Sequence, residues 1–239
     1  MNTHALARLA PLVLLAACSS PPAPLPQHVA TLPAPHVGAE ARTQALAERA
    51  RGSTAELLLI GDSITEGWET AGAAVWARSL APRGAVNLGV SGDQTQHVLQ
   101  RLQSGVYDAL PARVVVLMIG TNNTGNGQAP ELVADGVAAV VRECRSRWPA
   151  ARVMLLAIFP RGDAPDDPLR ANNAAVNRLL FARVAGLGRV AWLDFGAVFL
   201  REDGTLRRDL MPDALHLSEA GYELWADSMG ATLARLRSP

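Results

Sequence analysis

With 239 residues, of which 49% are hydrophobic and 18% charged, the chain is long enough for one domain with a large core and too ordinary in charge for general disorder. Acidic and basic side chains balance at 22 each, so the sequence carries no electrostatic footprint for nucleic acid, and none is expected as a partner. The cysteines Cys18 and Cys144 sit in such different settings that a disulfide between them is not expected.

Residues 1–18, MNTHALARLAPLVLLAAC, have a basic start at Arg8, a short apolar run over 9–17 and small residues before the cysteine. That run is too short to span a bilayer, and residues 1–17 read as a signal peptide. Leu15-Ala16-Ala17-Cys18 resembles the bacterial lipoprotein box, in which the cysteine is lipidated and becomes the mature N-terminus. Cys18 is then an anchor; the alternative is an ordinary secretory signal cleaved near Ala17 or Cys18. From Ser19 to about Val37 the chain is rich in proline (SSPPAPLPQ), which favours extended polyproline geometry, so residues 18–37 are expected to form a tether and 38–239 the folded domain. The expected location is a bacterial cell envelope, on the outer membrane facing the periplasm, with membrane contact through the lipid alone.

Beyond the tether, EARTQALAERA from Glu40 is a run of good helix formers. Apolar runs then follow at 56–60, 85–88, 114–119, 153–158 and 190–193, separated by segments of helical spacing. Strands buried on both faces read as continuous apolar runs, and long intervening helices allow parallel crossovers. The stretch 130–148 shows the helical stripe clearly, with Val133, Val137, Val140, Val141 and Cys144 on one face, where the lone cysteine acts as a small hydrophobe. Further helices are expected near 93–103, 169–184 and 218–236. The pattern predicts an α/β fold: an open, doubly wound, mostly parallel five-stranded sheet in three layers.

Functional groups in such folds gather where strands end. After the first run comes GDSITEGW, with Ser63 at the start of a helix, its backbone N–H at the positive end of the helix dipole. Ser63 and Glu66 equally make an S-x-x-E capping box. After the second run, NLGVSGDQT offers Gly89 and Gly92, which suit either an anion-binding loop or a plain turn. After the third, IGTNNTGNG offers the amides of Asn122 and Asn123, as donors to the same cleft or as turn caps. Near the C-terminus PDALHLSEAGY carries Asp213 three residues before His216, a spacing that lets one loop aim a carboxylate at Nδ1 and leave Nε2 for a serine, with Ser218 as the cap of the last helix. His4, His28 and His36 fall in the leader or tether and His97 in a helix, which leaves His216 as the candidate base.

Taken in order, GDSIT, the Gly92 loop, GTNN and DALH resemble the four blocks of the SGNH, or GDSL, hydrolases. The likeness runs from Leu57 to Tyr222 and includes NLGVSGDQTQHVLQRL and FPRG with the following PLRANNAAVN; within the family the chain resembles the catalytic subunits of brain-type platelet-activating factor acetylhydrolase. The resemblance implies a flavodoxin-like sandwich and a serine esterase with a preference for short acyl, above all acetyl, groups; the substrate expected is a small acyl ester or an acetylated carbohydrate, and the mechanism requires no cofactor or metal. It implies Ser63 as nucleophile, Asp213 and His216 as its partners, and an oxyanion hole from the Ser63 and Gly92 backbone N–H groups and the Asn122 amide. Ser91 stands where relatives often carry glycine, and Ile64 where leucine or valine occurs, departures that bear on the acyl pocket. Acyl transfer to an envelope glycan with the same triad, or a non-catalytic binding lipoprotein, are the competing readings; the sequence leaves the oligomeric state open.

Overall fold

The computed structural model of the chain describes residues 25–238. The leader 1–17, Cys18 and residues 19–24 lie outside the described residues. Five strands form the sheet: β1 (Leu57–Gly61), β2 (Ala85–Asn87), β3 (Val114–Met118), β4 (Arg152–Leu156) and β5 (Val190–Leu193). They lie in the order β2-β1-β3-β4-β5, every neighbouring pair is parallel, and Leu57 sits opposite both Ala85 and Val114. This is the expected five-stranded α/β sandwich.

The helices are α1 (Glu40–Ala50), α2 (Ser63–Glu66), α3 (Ala73–Ser79), α4 (Thr95–Gln103), α5 (Thr121–Gly125), α6 (Pro130–Arg147), α7 (Pro168–Val184) and α8 (Glu219–Arg237). All five positions of β1 and of β3 are buried, and alternate side chains serve opposite faces. Leu58, Val115 and Val153 join Leu46 of α1, Leu102 of α4, Val141 and Cys144 of α6 and Leu180 of α7 in one core. Leu59, Val116 and Met154 join Val75 of α3 and Trp225 and Met229 of α8 in the other. Three layers result, with burial pushing the Cys144 thiol far up from its ordinary value and so holding it protonated.

The chain leaves β1 for β2 on one side and then crosses to β3 on the other. That reversal opens a crevice at the carboxyl ends of β1 and β3, which is where an open sheet of this kind binds ligands.

The proline-rich stretch, expected as a tether, is laid on the domain over residues 25–37. Ala30 is fully buried; its carbonyl accepts from Thr95 Oγ1 at 2.8 Å, and the Ala34 N–H donates to the Gln96 carbonyl at 3.1 Å. Ala30 lies in a turn in which the Thr31 and Leu32 N–H groups donate to the His28 carbonyl, so its own carbonyl and the Ala34 N–H find their partners on α4. Among the described residues no helix is long and apolar enough to cross a membrane.

Candidate active site

At the end of β1 a side chain on Gly61 would meet Thr65 Oγ1 at 2.1 Å and the Met118 carbonyl at 2.4 Å, so only glycine lets the strand turn directly into α2. Asp62 caps that helix, its carboxylate accepting from the Ile64 N–H at 3.0 Å. The capping box expected of Ser63 and Glu66 is not formed. Because the cap lies one residue earlier, Ser63 is the first helical residue and its hydroxyl is released to the crevice, where Oγ lies 2.9 Å from His216 Nε2. Glu66 instead accepts from the Ser91 N–H at 2.6 Å and from the Ser91 hydroxyl at 2.7 Å. Ser91, expected to alter the acyl pocket, pins the Gly92 loop to the serine's helix.

His216 Nδ1 lies 2.6 Å from Asp213 Oδ2. The other Asp213 oxygen accepts from the backbone N–H of Leu215 at 3.0 Å and of His216 at 2.7 Å, a turn that aims carboxylate and imidazole at each other. Ala214 between them takes a left-handed φ of 63°, uncommon for a residue with a side chain, and its carbonyl accepts from Gly162 N–H at 3.0 Å. Burial raises the Asp213 pKa, but the hydrogen bonds from the His216 ring and the two backbone N–H groups outweigh it and hold the carboxyl below its usual value. A carboxylate at Nδ1 assigns the ring proton to that nitrogen and leaves the Nε2 lone pair facing Ser63. Ser218 caps α8 as expected, accepting from the Gly221 N–H at 3.3 Å.

The third wall is the loop after β2. Gly89 runs so close to α2 that a side chain there would come within 2.3 Å of the Glu66 nitrogen, and Gly92 has a left-handed φ of 79°. Asn122, at the start of α5, donates its side-chain amide to the Asp93 carbonyl at 2.9 Å. A primary amide has two N–H hydrogens, and this bond uses one. Asn123 is fully buried and used otherwise: its oxygen accepts from the Thr95 N–H at 3.0 Å, and its nitrogen donates to Thr95, Gln96 and Gln128. Of the two amides after β3, Asn122 stands at the Gly92 loop and Asn123 ties α5 to α4.

Several residues around the site are not distinguished by the sequence. Asp62 is buried beneath the serine, and desolvation pushes its carboxyl up to about 6, against the pull of its bond to Ile64 and the nearby His216 and Arg161. Arg161 and Asn173 both donate to Thr121, with Arg161 Nη1 3.1 Å from its carbonyl and Asn173 Nδ2 3.3 Å from its hydroxyl, which fixes α5 from the β4–α7 side. Trp68 is a core residue packed 4.6 Å from Tyr222 and 5.1 Å from Trp225.

Among the described residues, His36, Asp93 and His97 offer potential metal-ligand atoms within 4.8 Å of one another. Their arrangement does not suit a cation. Arg101 engages both oxygens of the Asp93 carboxylate, and the two imidazoles stack at 4.4 Å and 17°, so their in-plane lone pairs lie in two nearly parallel planes and do not meet at one point.

Residues 59–224 match the model of the GDSL-like Lipase/Acylhydrolase family. Over 181 residues the chain is 39% identical to platelet-activating factor acetylhydrolase IB subunit alpha1 of Homo sapiens, covering 76% of each chain. It is also 39% identical over 167 residues to the alpha2 subunit from Gallus gallus, covering 70% of this chain and 71% of that one. In three dimensions it is similar to a GDSL-like lipase from Bacteroides thetaiotaomicron, with a TM-score of 0.64 at 17% identity over 82% of this chain and 96% of that one.

Proposed function

This chain belongs to the GDSL-like lipase/acylhydrolase family and is an ester hydrolase; from that premise we propose that it hydrolyses short-chain acyl esters, acetyl esters first, through Ser63, His216 and Asp213. The observation that carries the proposal is the continuous relay from Ser63 Oγ to His216 Nε2 at 2.9 Å and from His216 Nδ1 to Asp213 at 2.6 Å. Neutral His216 takes the Ser63 proton as Oγ attacks the ester carbonyl, and Asp213 stabilises the imidazolium that forms. The imidazolium then protonates the departing alcohol as the tetrahedral intermediate collapses to an acyl-serine. Water, losing its proton to the same Nε2, attacks the acyl carbon, and the carboxylic acid leaves as Ser63 recovers its hydrogen. Negative charge on the tetrahedral oxygen meets the Ser63 and Gly92 N–H groups and the second hydrogen of the Asn122 amide, each donor worth about 3 kcal/mol.

The acetyl preference is supported by the relatives, both named acetylhydrolases. A series of p-nitrophenyl esters of increasing chain length tests it. The proposal expects the highest kcat/KM at acetate and none in Ser63→Ala; turnover retained by that variant, or a preference for long chains, would reject it. The lipoprotein-like ending at Cys18 supports an exported form anchored by lipid in a bacterial envelope. Cys18→Ser should then shift the protein from the membrane to the soluble fraction, and unchanged fractionation would reject the anchor.

A further inference from the structure

The segment that precedes α1 reaches the crevice through one side chain. The ring of His36 lies over the Gly92 loop: a Cβ built on Gly92 would stand 3.1 Å from His36 Cε1 and 3.4 Å from Nε2. The missing side chain of Gly92 therefore makes the space that this imidazole fills. On its other side His36 Nδ1 donates to Asp93 Oδ1 at 2.9 Å, and its ring stacks on His97 with centroids 4.4 Å apart. Burial, together with the Arg101 charge, lowers the His36 pKa and favours the neutral ring, whose proton this bond to a carboxylate assigns to Nδ1.

Asp93 is the junction. It is fully buried, Arg101 engages both its carboxylate oxygens, and its backbone carbonyl accepts from the Asn122 amide at 2.9 Å. Directly preceding it in the chain is Gly92. The same residue thus receives His36 on its carboxylate and orients Asn122 with its carbonyl.

We propose that His36 is a positioning residue for the oxyanion donors: it fixes Asp93 and, through Asp93, the Gly92 N–H and the Asn122 amide, which makes the N-terminal segment part of the active site. The role of those donors rests on the esterase reading above; the positioning itself does not.

Three variants of the full chain separate the possibilities. His36→Ala removes ring and donor, His36→Phe keeps an aromatic ring for the stack but not the donor, and His36→Asn keeps a donor near the Nδ1 position. On an acetyl ester, kcat should fall by roughly tenfold in the Ala and Phe variants with KM within about twofold, and most of it should return in the Asn variant. In an Asn122→Ala background, His36→Ala should cost less than the roughly tenfold it costs in the unmodified chain, because the part of its effect that runs through Asn122 is already lost and only the part through Gly92 remains. Amide hydrogen exchange over residues 90–94 should be faster in His36→Ala than in the unmodified chain, whatever the activity. Unmodified exchange, or full kcat in both Ala and Phe variants, would overturn the proposal, and fully additive losses would overturn the route through Asn122. A wild-type chain inert on every ester, with faster exchange in His36→Ala, would reject the esterase reading and uphold the positioning.

Discussion

Asn122 spends one amide hydrogen on the Asp93 carbonyl, and the proposed reaction assigns the other to the oxyanion, as a donor needed only when negative charge develops. Asn122→Ala should lower kcat by roughly 10²–10³-fold while KM changes little, because the lost bond belongs to the transition state. An unchanged kcat would make Asn122 a tie between α5 and the Gly92 loop and nothing more. Asp62 gives a test by pH. Its carboxyl, raised by burial from 3.8 to about 6, binds a proton more readily folded than unfolded. The stability this confers is complete below about pH 4 and is lost as pH rises through 6. Asp62→Asn keeps an oxygen for the Ile64 N–H but cannot ionise, so its stability relative to the unmodified chain should improve by about 2 kcal/mol between pH 4 and pH 7. Urea titrations at the two pH values measure this, and an equal difference at both would show that Asp62 is not desolvated as described.

At the scale of elements, α4 is anchored by the Asp93–Arg101 pair, which shields a carboxylate with no solvent exposure. Arg101→Met would strand that charge and should destabilise the fold by about 3–5 kcal/mol, read as a shift in the denaturation midpoint. A change below about 1 kcal/mol would mean that other contacts hold the helix. The five strands and the longer helices were legible in the sequence because buried parallel strands are unbroken apolar runs and α6 repeats its apolar residues over 18 positions. Helices α3 and α5 were not, since runs of 7 and 5 residues are too short to display a helical period, and the 4-residue α2 was legible only from the place of Ser63 after the first strand. The S-x-x-E spacing around Ser63 satisfies a local rule, but Asp62 captures the cap and Glu66 bonds Ser91, 25 residues away. His36 and Asp93 are 57 residues apart, and no local pattern joins a proline-rich segment to a turn at that distance. The four strand-end blocks were legible as residue types; how they are wired to one another was not.

For the whole molecule, the strand order decides why distant residues converge. Ser63 follows β1 and Asn122 follows β3, neighbours in the sheet, while Gly92 follows β2 on β1's other flank. His216 precedes α8 and meets Ser63 across 153 residues. A fold that only borrowed the motif for structure would have no reason to leave a histidine nitrogen on a serine hydroxyl at this crevice. The most direct test is reaction with a serine-directed fluorophosphonate, followed by mass mapping of the modified peptide. The account predicts one label per chain, on Ser63, with ester hydrolysis lost in step and both the label and turnover strongly reduced in His216→Ala. Labelling at another residue, or hydrolysis that survives complete modification of Ser63, would contradict it.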